Sequence, residues 1–467
     1  MRNGSLPVFL PTENAAHGKM GRLFDYAVMP LLLPLLLLWL LAARLLSLLA
    51  PIVLFPLSVA LNRRLVWACP FIPSIWAERG WLMGSLMRLG FEFSYTANVV
   101  RRFLTLPLRQ RVPDFYIVGL PKCGTTSMAA YLKLHPCVDG LDGLRWHETL
   151  TKESHFFAGA LGRGSTSSRA AYRSYFPTLL RRWWVEAVER SGKHLIFDAT
   201  PTVACLDFCA ERVARMNPDA KLVFMLRDPV SAAFSAEIML RNLGVDLPFT
   251  FMADAKPADP RFAETAEEVA YWEQVAALKP GDELPEDLMR RFYFSPYALL
   301  RCGRYVDRIQ PFLKHFKPEN IMFVEFREFC THPERATKQV LQFVGADPQL
   351  LKFRTLPPGM AGERKGRRMH PSVHRKLVRH FHDHNRRLYT LLGRSFGWED
   401  PEGQRVSSYM TGGSSAPTTA KPAPIRLAAV SEAGAAEAAG NGAKAAGKDV
   451  VIRMSASAVS PPLADAV

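Results

Sequence analysis

The chain has 467 residues, of which 48% are hydrophobic and 22% charged, an ordinary composition for a globular protein with a sizeable core. Lysine and arginine number 59 against 43 acidic residues, and the net charge of +16 suits anionic partners: nucleic acids, membrane surfaces, nucleotides or acidic polysaccharides. The seven cysteines are too few for a disulfide scaffold, and none has the C-x-x-C spacing of a zinc site.

An apolar segment near the start of the chain predicts a membrane helix. Nearly every residue from 26 to 61 is apolar, and Arg44 is the one charge inside this run. The run exceeds the roughly 20 residues that cross a bilayer, so we expect a transmembrane anchor with its best span at 27–49. The segment also contains Pro30, Pro34, Pro51 and Pro56. Four prolines favour a kinked span or a helical hairpin, and the alternative is a buried helix of a soluble domain.

Strand-like and helical patterns alternate in the middle of the chain. Short apolar runs typical of buried strands cover residues 114–119, 194–197, 221–226 and 321–324. Helical patterns cover residues 127–134, 230–241 and 333–344. This alternation predicts an α/β fold with a parallel central sheet and helices on both faces.

The composition changes again near the end of the chain. After about residue 400 it falls to Ala, Gly, Ser, Pro and Lys, which cannot bury enough surface to offset the entropy of ordering. We therefore expect the end of the chain to be disordered. The predicted organisation is an N-terminal tail at 1–22, an anchor at 23–61, a membrane-proximal stem at 62–110, an α/β domain at 111–400 and a disordered tail at 401–467.

Residues 119–127, Gly-Leu-Pro-Lys-Cys-Gly-Thr-Thr-Ser, lie between the first predicted strand and the first predicted helix. This placement presents backbone N–H groups and the positive end of a helix to an anion. Lys122 adds a positive charge, and Gly124 allows close approach of the backbone. The turn is not a Walker A loop, because Thr125 follows Gly124 where that motif has lysine. The alternative to an anion site is a simple helix cap.

A second anion-binding element is predicted one strand later. Arg227 ends a predicted strand and Pro229 opens a predicted helix, in which Ser235 lies further along. An arginine at a strand end can bind a phosphate through two N–H groups. On its own the stretch is more typical of a turn with proline at the first helical position, but it follows a predicted phosphate loop.

The sequence Lys-Glu-Ser-His-Phe-Phe at 152–157 contains a candidate general base. Group transfer to a hydroxyl needs a proton acceptor, and Glu153 has two phenylalanines close by in sequence that are expected to raise its pKa. His155 is expected to orient the acceptor or to share the proton. The alternative is an exposed Lys-Glu turn followed by core phenylalanines.

Together these motifs resemble the sulfotransferases that use 3′-phosphoadenosine 5′-phosphosulfate (PAPS) as donor. In that family the lysine of Pro-Lys-x-Gly-Thr-Thr-Ser, which matches Lys122, neutralises the bridging oxygen of the donor. The family pattern Arg-x-Pro-x-x-x-x-x-Ser matches Arg227 and Ser235, which by resemblance hold the 3′-phosphate. The Golgi glycan branch, of heparan sulfate and chondroitin type, has Glu-x-His-Phe-Phe. Its glutamate is the catalytic base, which matches Glu153, with His155 beside it.

The resemblance extends to a basic loop near residue 365. In the glycan branch a Lys-Gly-Arg loop closes over the donor phosphates, and this chain has an extra residue in that loop before His370. The disulfide that commonly precedes the loop in this branch is not expected here, because no cysteine follows Cys330. The resemblance implies a donor site made of Lys122, Cys123, Gly124, Thr125, Thr126, Ser127, Arg227, Ser235, Lys365, Gly366 and Arg367.

Two further features have less specific interpretations. The segment from Gly303 to Tyr305 matches a Gly-x-Tyr segment of the family, and we interpret it as the start of a helix. His380 and His384 share a helix face, as metal ligands do, but no third ligand is evident and the resemblance implies no metal.

The resemblance implies a P-loop-like sulfotransferase fold and an enzyme that moves a sulfuryl group from PAPS to a hydroxyl, rather than an amine, of a glycan. It implies a glycan acceptor, no nucleic-acid partner, and a Golgi membrane anchor with the catalytic domain in the lumen. Two alternatives stay open. One is a nucleotide kinase or NTPase on a related fold, which requires Mg²⁺. The other is a non-catalytic membrane protein that binds a nucleotide or a glycan.

Overall fold

The computed structural model of the chain describes residues 29–53, 90, 93, 96–142, 152–158, 168–242, 247, 249–252, 265–279, 282, 285, 288, 291–292, 295–356, 367–398 and 425–426. Its first helix, α1, covers Met29–Val53 and continues through Pro34. Within α1, Leu31–Ala50 is long and apolar enough to cross a membrane, judged by length and composition. Leu31 is 80% exposed, whereas Ala43 and Ser47, one turn apart on the same helix face, are buried.

The described residues form a six-stranded sheet with the strand order β2-β3-β1-β4-β5-β6. The strands are β1 Phe115–Ile117, β2 Val138–Asp139, β3 Leu195–Asp198, β4 Lys221–Leu226, β5 Ile321–Glu325 and β6 Ile425–Arg426. The first five strands run parallel, and β6 pairs antiparallel with β5. The parallel central sheet predicted from the sequence is therefore confirmed.

Helices connect the parallel strands. They are α2 Thr125–Leu132, α3 Arg169–Arg173, α4 Leu179–Trp183, α5 Thr202–Cys205, α6 Cys209–Met216, α7 Pro229–Asn242, α8 Ala266–Ala276, α9 Pro296–Gly303, α10 Tyr305–Leu313, α11 Phe326–Thr331, α12 Pro333–Val344 and α13 Pro371–Leu392. Every residue of β1, β3 and β5 is buried. Because successive side chains of a strand point to opposite faces, both faces of the sheet are covered.

The segment just before β1 packs on the α/β domain. Residues 96–104 are helical, and Arg101 and Arg109 each donate to the carboxylate of Asp142 at 2.8 Å. The Arg109 side chain is fully buried. These ion pairs attach the end of the predicted stem to the edge of the sheet beside β2. Most of the rest of the stem, and most of the predicted C-terminal tail, lie outside the described residues.

The strand order determines where a ligand can bind. β1 lies between β3 and β4, and all three are parallel, so their carboxyl ends meet at one edge of the sheet. From β1 the chain crosses to the β2 side, whereas from β4 it continues to β5 on the other side. Ligands of open parallel sheets bind at such a change of direction, which here is the edge after β1 and β4.

Candidate functional site

The loop after β1 forms a turn that can bind an anion. Lys122 and Gly124 have left-handed backbone conformations, with φ angles of 68° and 90°. The main-chain N–H groups of Thr125, Thr126 and Ser127 form the first turn of α2 and have no hydrogen-bond partner among the described residues. Free N–H groups and the positive end of the helix together favour a bound phosphate or sulfate.

The conformation of Gly124 leads to a prediction. A Cβ atom at this position would lie 2.8 Å from Cδ2 of Phe326, and the φ angle of 90° disfavours any other residue. We expect Gly124→Ala to lower the free energy of unfolding by about 1–3 kcal/mol, measured by denaturant titration. Gly345→Ala is the matched control, because Gly345 has a φ of 92° but no atom within 4 Å of the added carbon. Equal losses in the two variants would show that the contact with Phe326 has no effect.

Arg227 follows β4 and lies directly against this loop. Its Nη1 donates to the main-chain oxygen of Lys122 at 2.8 Å, and its guanidinium stacks 4.4 Å from the ring centre of Phe326. The other guanidinium N–H groups of Arg227 have no partner among the described residues, so they can bind an anion. Ser235 is half-buried in α7, about 9 Å along the helix axis from Pro229.

The segment that carries Glu153 is attached to the carboxyl end of β3 by buried hydrogen bonds. The main-chain N–H of Ser154 donates to Oγ1 of Thr200 at 2.9 Å, and its hydroxyl donates to the carboxylate of Asp198. Tyr172 also donates to Asp198, at 2.8 Å. These residues are almost completely buried. The network therefore holds Glu153 beside the loop that follows the neighbouring strand β1.

Glu153 is held between two partners. The Lys152 ammonium contacts Oε1 of Glu153, and Nε2 of His155 lies 3.0 Å from Oε2. The sequence predicted a raised pKa for Glu153, and this prediction is wrong. Burial does raise it, but Lys152 and His155 favour the charged form more strongly and lower the pKa to about 2. The carboxylate is therefore ionised at any ordinary pH and able to accept hydrogen bonds.

Lys122 shares this neighbourhood. Burial and the charges of Arg227 and Lys152 lower the pKa of its ammonium to about 8, and the charge of Glu153 acts in the opposite direction. Residues from the ends of three adjacent strands thus interact electrostatically. The structure brings the phosphate loop, Arg227 and the segment with Glu153 and His155 to the same edge of the sheet.

The lowered pKa of Lys122 predicts an alkaline limb of activity. The ammonium loses its proton as the pH rises through about 8, so kcat/KM for an anionic substrate is expected to fall between pH 7 and pH 10. In Lys122→Arg the limb should move above pH 10, because arginine stays charged. Lys338→Arg, which changes a surface lysine paired with Glu334, is the control and should keep the wild-type limb. A limb near pH 8 that persists in Lys122→Arg would assign the titration to another group.

Only Arg367 of the predicted Lys-Gly-Arg loop lies within the described residues. Lys365 and Gly366 lie outside the described residues. Nη1 of Arg367 donates to Oδ1 of Asn242 at 3.2 Å. Asn242 is the last residue of α7, about 20 Å along the helix from its first residue, Pro229. The structure thus places Arg367 by the end of α7 that lies away from Arg227.

His384 of α13 lies beside Asp307 of α10, and His380 lies one turn earlier on the same helix. The rings of His380 and His384 are 6.2 Å apart, and Nδ1 of His384 lies 3.3 Å from Asp307. Within the described residues no group of three or more His, Cys, Asp or Glu side chains is arranged to hold a metal ion.

Three contributions to the site were missed in the sequence. Lys152 was not assigned a role, although it adjoins Glu153 and its side chain is 3% exposed. The polar residues Asp198 and Thr200 could have been recognised in the sequence as candidate site residues, because they lie at the carboxyl end of a buried strand. Phe326 stacks on Arg227 from the turn after β5, and sequence spacing offers no signal for such a contact.

The α/β domain matches a known family. Residues 112–355 match the family model described as "Sulfotransferase domain". The chain is similar to heparan sulfate glucosamine 3-O-sulfotransferase 3B1 from Mus musculus, with 24% identity over 62% of this chain and 66% of that protein. It is also similar to heparan sulfate glucosamine 3-O-sulfotransferase 6 from Homo sapiens, with 26% identity over 62% of this chain and 75% of that protein.

The chain spans just under two thirds of the length of the Mus musculus relative. Among solved structures, a sulfotransferase from Alicyclobacillus acidocaldarius has a TM-score of 0.43 and 22% sequence identity, over 62% of this chain and the whole of that chain.

Proposed function

Because the family match covers more than half of its length, the chain belongs to the sulfotransferase-domain family, and we propose that it transfers a sulfuryl group from PAPS to a glycan hydroxyl. The observation that carries this proposal is the convergence of Lys122, Arg227 and Glu153 at the carboxyl ends of β1, β4 and β3. The curated relatives are named as heparan sulfate glucosamine 3-O-sulfotransferases, which supports a hydroxyl of a polysaccharide as the acceptor.

The residues at the edge of the sheet fit a bisphosphorylated nucleotide. Lys122 and the free N–H groups of the first turn of α2 would bind the phosphosulfate end of PAPS, with the hydroxyls of Thr125, Thr126 and Ser127 beside them. Arg227 and Ser235 would bind the 3′-phosphate.

The same residues would act in the transfer itself. PAPS supplies a sulfuryl group joined through oxygen to a phosphate, and this S–O bond breaks as the acceptor oxygen bonds to sulfur. Lys122 would stabilise the negative charge left on the phosphate. Lys365, Gly366 and Arg367 are proposed to close over the nucleotide phosphates when the donor binds, which requires Arg367 to leave Asn242 at the far end of α7.

Glu153 is proposed to take the proton of the acceptor hydroxyl. Its Oε2 is shared with His155, whose Nδ1 is buried and has no partner among the described residues. Lys152 holds Oε1, so the carboxylate is fixed in orientation before an acceptor binds. His155 is proposed to share the proton taken by Glu153 or to orient the acceptor.

The proposal is tested by assaying the full chain, in detergent, with ³⁵S-labelled PAPS and a panel of glycans. Transfer of label to a heparan-type or chondroitin-type polysaccharide without added Mg²⁺ is the expected result. Hydrolysis of ATP that depends on Mg²⁺, without sulfuryl transfer, would support a kinase or NTPase instead. Binding of the donor with no transfer to any acceptor would indicate a non-catalytic binding protein.

We also propose a location and a domain organisation. The exposed apolar α1 would anchor the chain in the Golgi membrane, with a transferase domain at residues 111–400 on the lumenal side and a tail at 401–467 outside it. Protease protection of sealed Golgi vesicles tests the orientation. We expect the transferase domain to be protected from protease. Digestion of the domain in the absence of detergent would instead place it on the cytoplasmic side.

A further inference from the structure

Tyr305 lies between the two anion-binding elements. It is the first residue of α10, and its side chain is almost completely buried. Its hydroxyl donates to the main-chain oxygen of Arg227 at 2.6 Å and lies 3.6 Å from Sγ of Cys123. One hydroxyl therefore contacts both the end of β4 and the centre of the phosphate loop.

The direction of these two hydrogen bonds follows from their chemistry. The hydroxyl proton is used on the carbonyl of Arg227, so the oxygen of Tyr305 is the acceptor in the second contact, and the single thiol proton of Cys123 is shared between this oxygen and the main-chain oxygen of Pro121 at 3.8 Å. Burial raises the pKa of the Cys123 thiol to about 12, so it keeps the proton that this contact requires.

These contacts close a ring. Nη1 of Arg227 donates to the main-chain oxygen of Lys122, which precedes Cys123 in the loop. Cys123 contacts the hydroxyl of Tyr305, and this hydroxyl donates to the main-chain oxygen of Arg227. Both the backbone and the side chain of Arg227 are therefore fixed relative to the loop.

The packing around Tyr305 shows why it can reach this position. A Cβ atom at Gly303, two residues earlier, would lie 2.7 Å from Cε1 of Phe381 and 3.1 Å from Cβ of Pro229. The junction of α9 and α10 therefore packs closely against the first residue of α7, next to Arg227. A larger residue at 303 would push the junction, and with it Tyr305, away from Arg227.

We propose that Tyr305 is a positioning residue whose hydroxyl holds the phosphate loop and Arg227 at the spacing that a single bound nucleotide requires. The identity of that nucleotide rests on the proposed function, whereas the positioning of the two elements does not. Tyr305 is not proposed to touch the donor. Its effect is to keep the main chains on either side of the donor site in place before the donor binds.

Tyr305→Phe isolates the hydroxyl, because the ring that packs 5.8 Å from Trp398 remains. The matched control is Tyr389→Phe, which removes a hydroxyl that accepts a hydrogen bond from the main chain of Trp398 at 3.2 Å. Both variants lose one partly or fully buried tyrosine hydroxyl. Among the contacts of the described residues, the hydroxyl of Tyr305 is the one that touches the loop and Arg227.

The first measurement needs no ligand. Hydrogen exchange of the full chain in detergent is followed by mass spectrometry in peptides that cover residues 118–128 and 221–235. We expect exchange at least ten-fold faster in these peptides in Tyr305→Phe and unchanged in Tyr389→Phe. Unchanged exchange in Tyr305→Phe, or an equal increase over the whole domain in both variants, would overturn the positioning role.

The second measurement uses 3′-phosphoadenosine 5′-phosphate (PAP), the desulfated donor. We expect Tyr305→Phe to weaken PAP binding about ten-fold and to raise KM for PAPS, with KM for the acceptor unchanged. Wild-type PAP affinity in Tyr305→Phe, or equal weakening in Tyr389→Phe, would overturn the link to the donor site. If the wild-type chain does not bind PAP, the proposed function fails, and the exchange measurement still decides whether Tyr305 positions the loop.

Discussion

Replacing Glu153 by glutamine is expected to lower kcat by roughly 10³-fold while leaving the affinity for PAP within two-fold of wild type. Glutamine keeps the shape of the side chain and can still accept a hydrogen bond from Lys152, but it cannot take a proton at neutral pH. Removal of a general base typically costs about 10²–10⁴-fold in rate. The measurement is steady-state sulfuryl transfer from PAPS, together with calorimetry of PAP binding.

The control for this variant is Glu211→Gln, which changes a surface carboxylate paired with Arg215 in α6. Its kcat should equal that of wild type. Because glutamine leaves Lys152 buried without its counter-charge, the melting temperature of Glu153→Gln must be recorded as well. A folded Glu153→Gln variant with undiminished transfer would remove Glu153 as the base and leave His155 as the remaining candidate.

Replacing Arg227 by alanine is expected to weaken PAP binding by at least 100-fold. Alanine lacks the guanidinium N–H groups that are proposed to bind the 3′-phosphate. It also lacks the hydrogen bond to the main-chain oxygen of Lys122. A hydrogen bond to a charged group contributes about 1.5–3 kcal/mol, and a bidentate contact adds to this. Arg227→Lys should fall between the alanine variant and wild type, because lysine keeps the charge without the planar fork.

Arg375→Ala serves as the control for a lost arginine. Arg375 lies on the exposed side of α13, so its removal changes the net charge equally without touching the sheet edge. Its PAP affinity should stay at the wild-type value. Equal weakening in Arg227→Ala and Arg375→Ala would mean that general charge, and not the contacts of Arg227, governs nucleotide binding.

Local sequence signals predicted much of the fold. β4 and α12 begin and end at the predicted residues, because each is a continuous apolar or periodic run bounded by polar residues or proline. The strand β2 was missed, because Val138–Asp139 is too short to show any pattern. The order of the strands was not predicted either, because it depends on pairings between distant segments that no local pattern encodes.

For the candidate site, the sequence indicated the motifs that contribute residues but not the protonation behaviour of Glu153. The sequence singles out the loop at 119–127 and Arg227, and in the structure Arg227 donates to the main-chain oxygen of Lys122. The pKa of Glu153 was predicted in the wrong direction, because adjacent phenylalanines in the sequence suggested an apolar environment. In the structure Lys152 and His155 contact the carboxylate. Side-chain direction after a strand end depends on the local turn, and sequence spacing does not reveal it.

Titration of the full chain with PAP and with AMP, by calorimetry in detergent and without Mg²⁺, tests the central claim most directly. We expect PAP to bind with a Kd in the micromolar range and AMP to bind at least ten-fold more weakly, because AMP offers no 3′-phosphate to Arg227 and Ser235. An absence of heat with PAP, or equal affinities for PAP and AMP, would contradict the claim that the two elements form one nucleotide site.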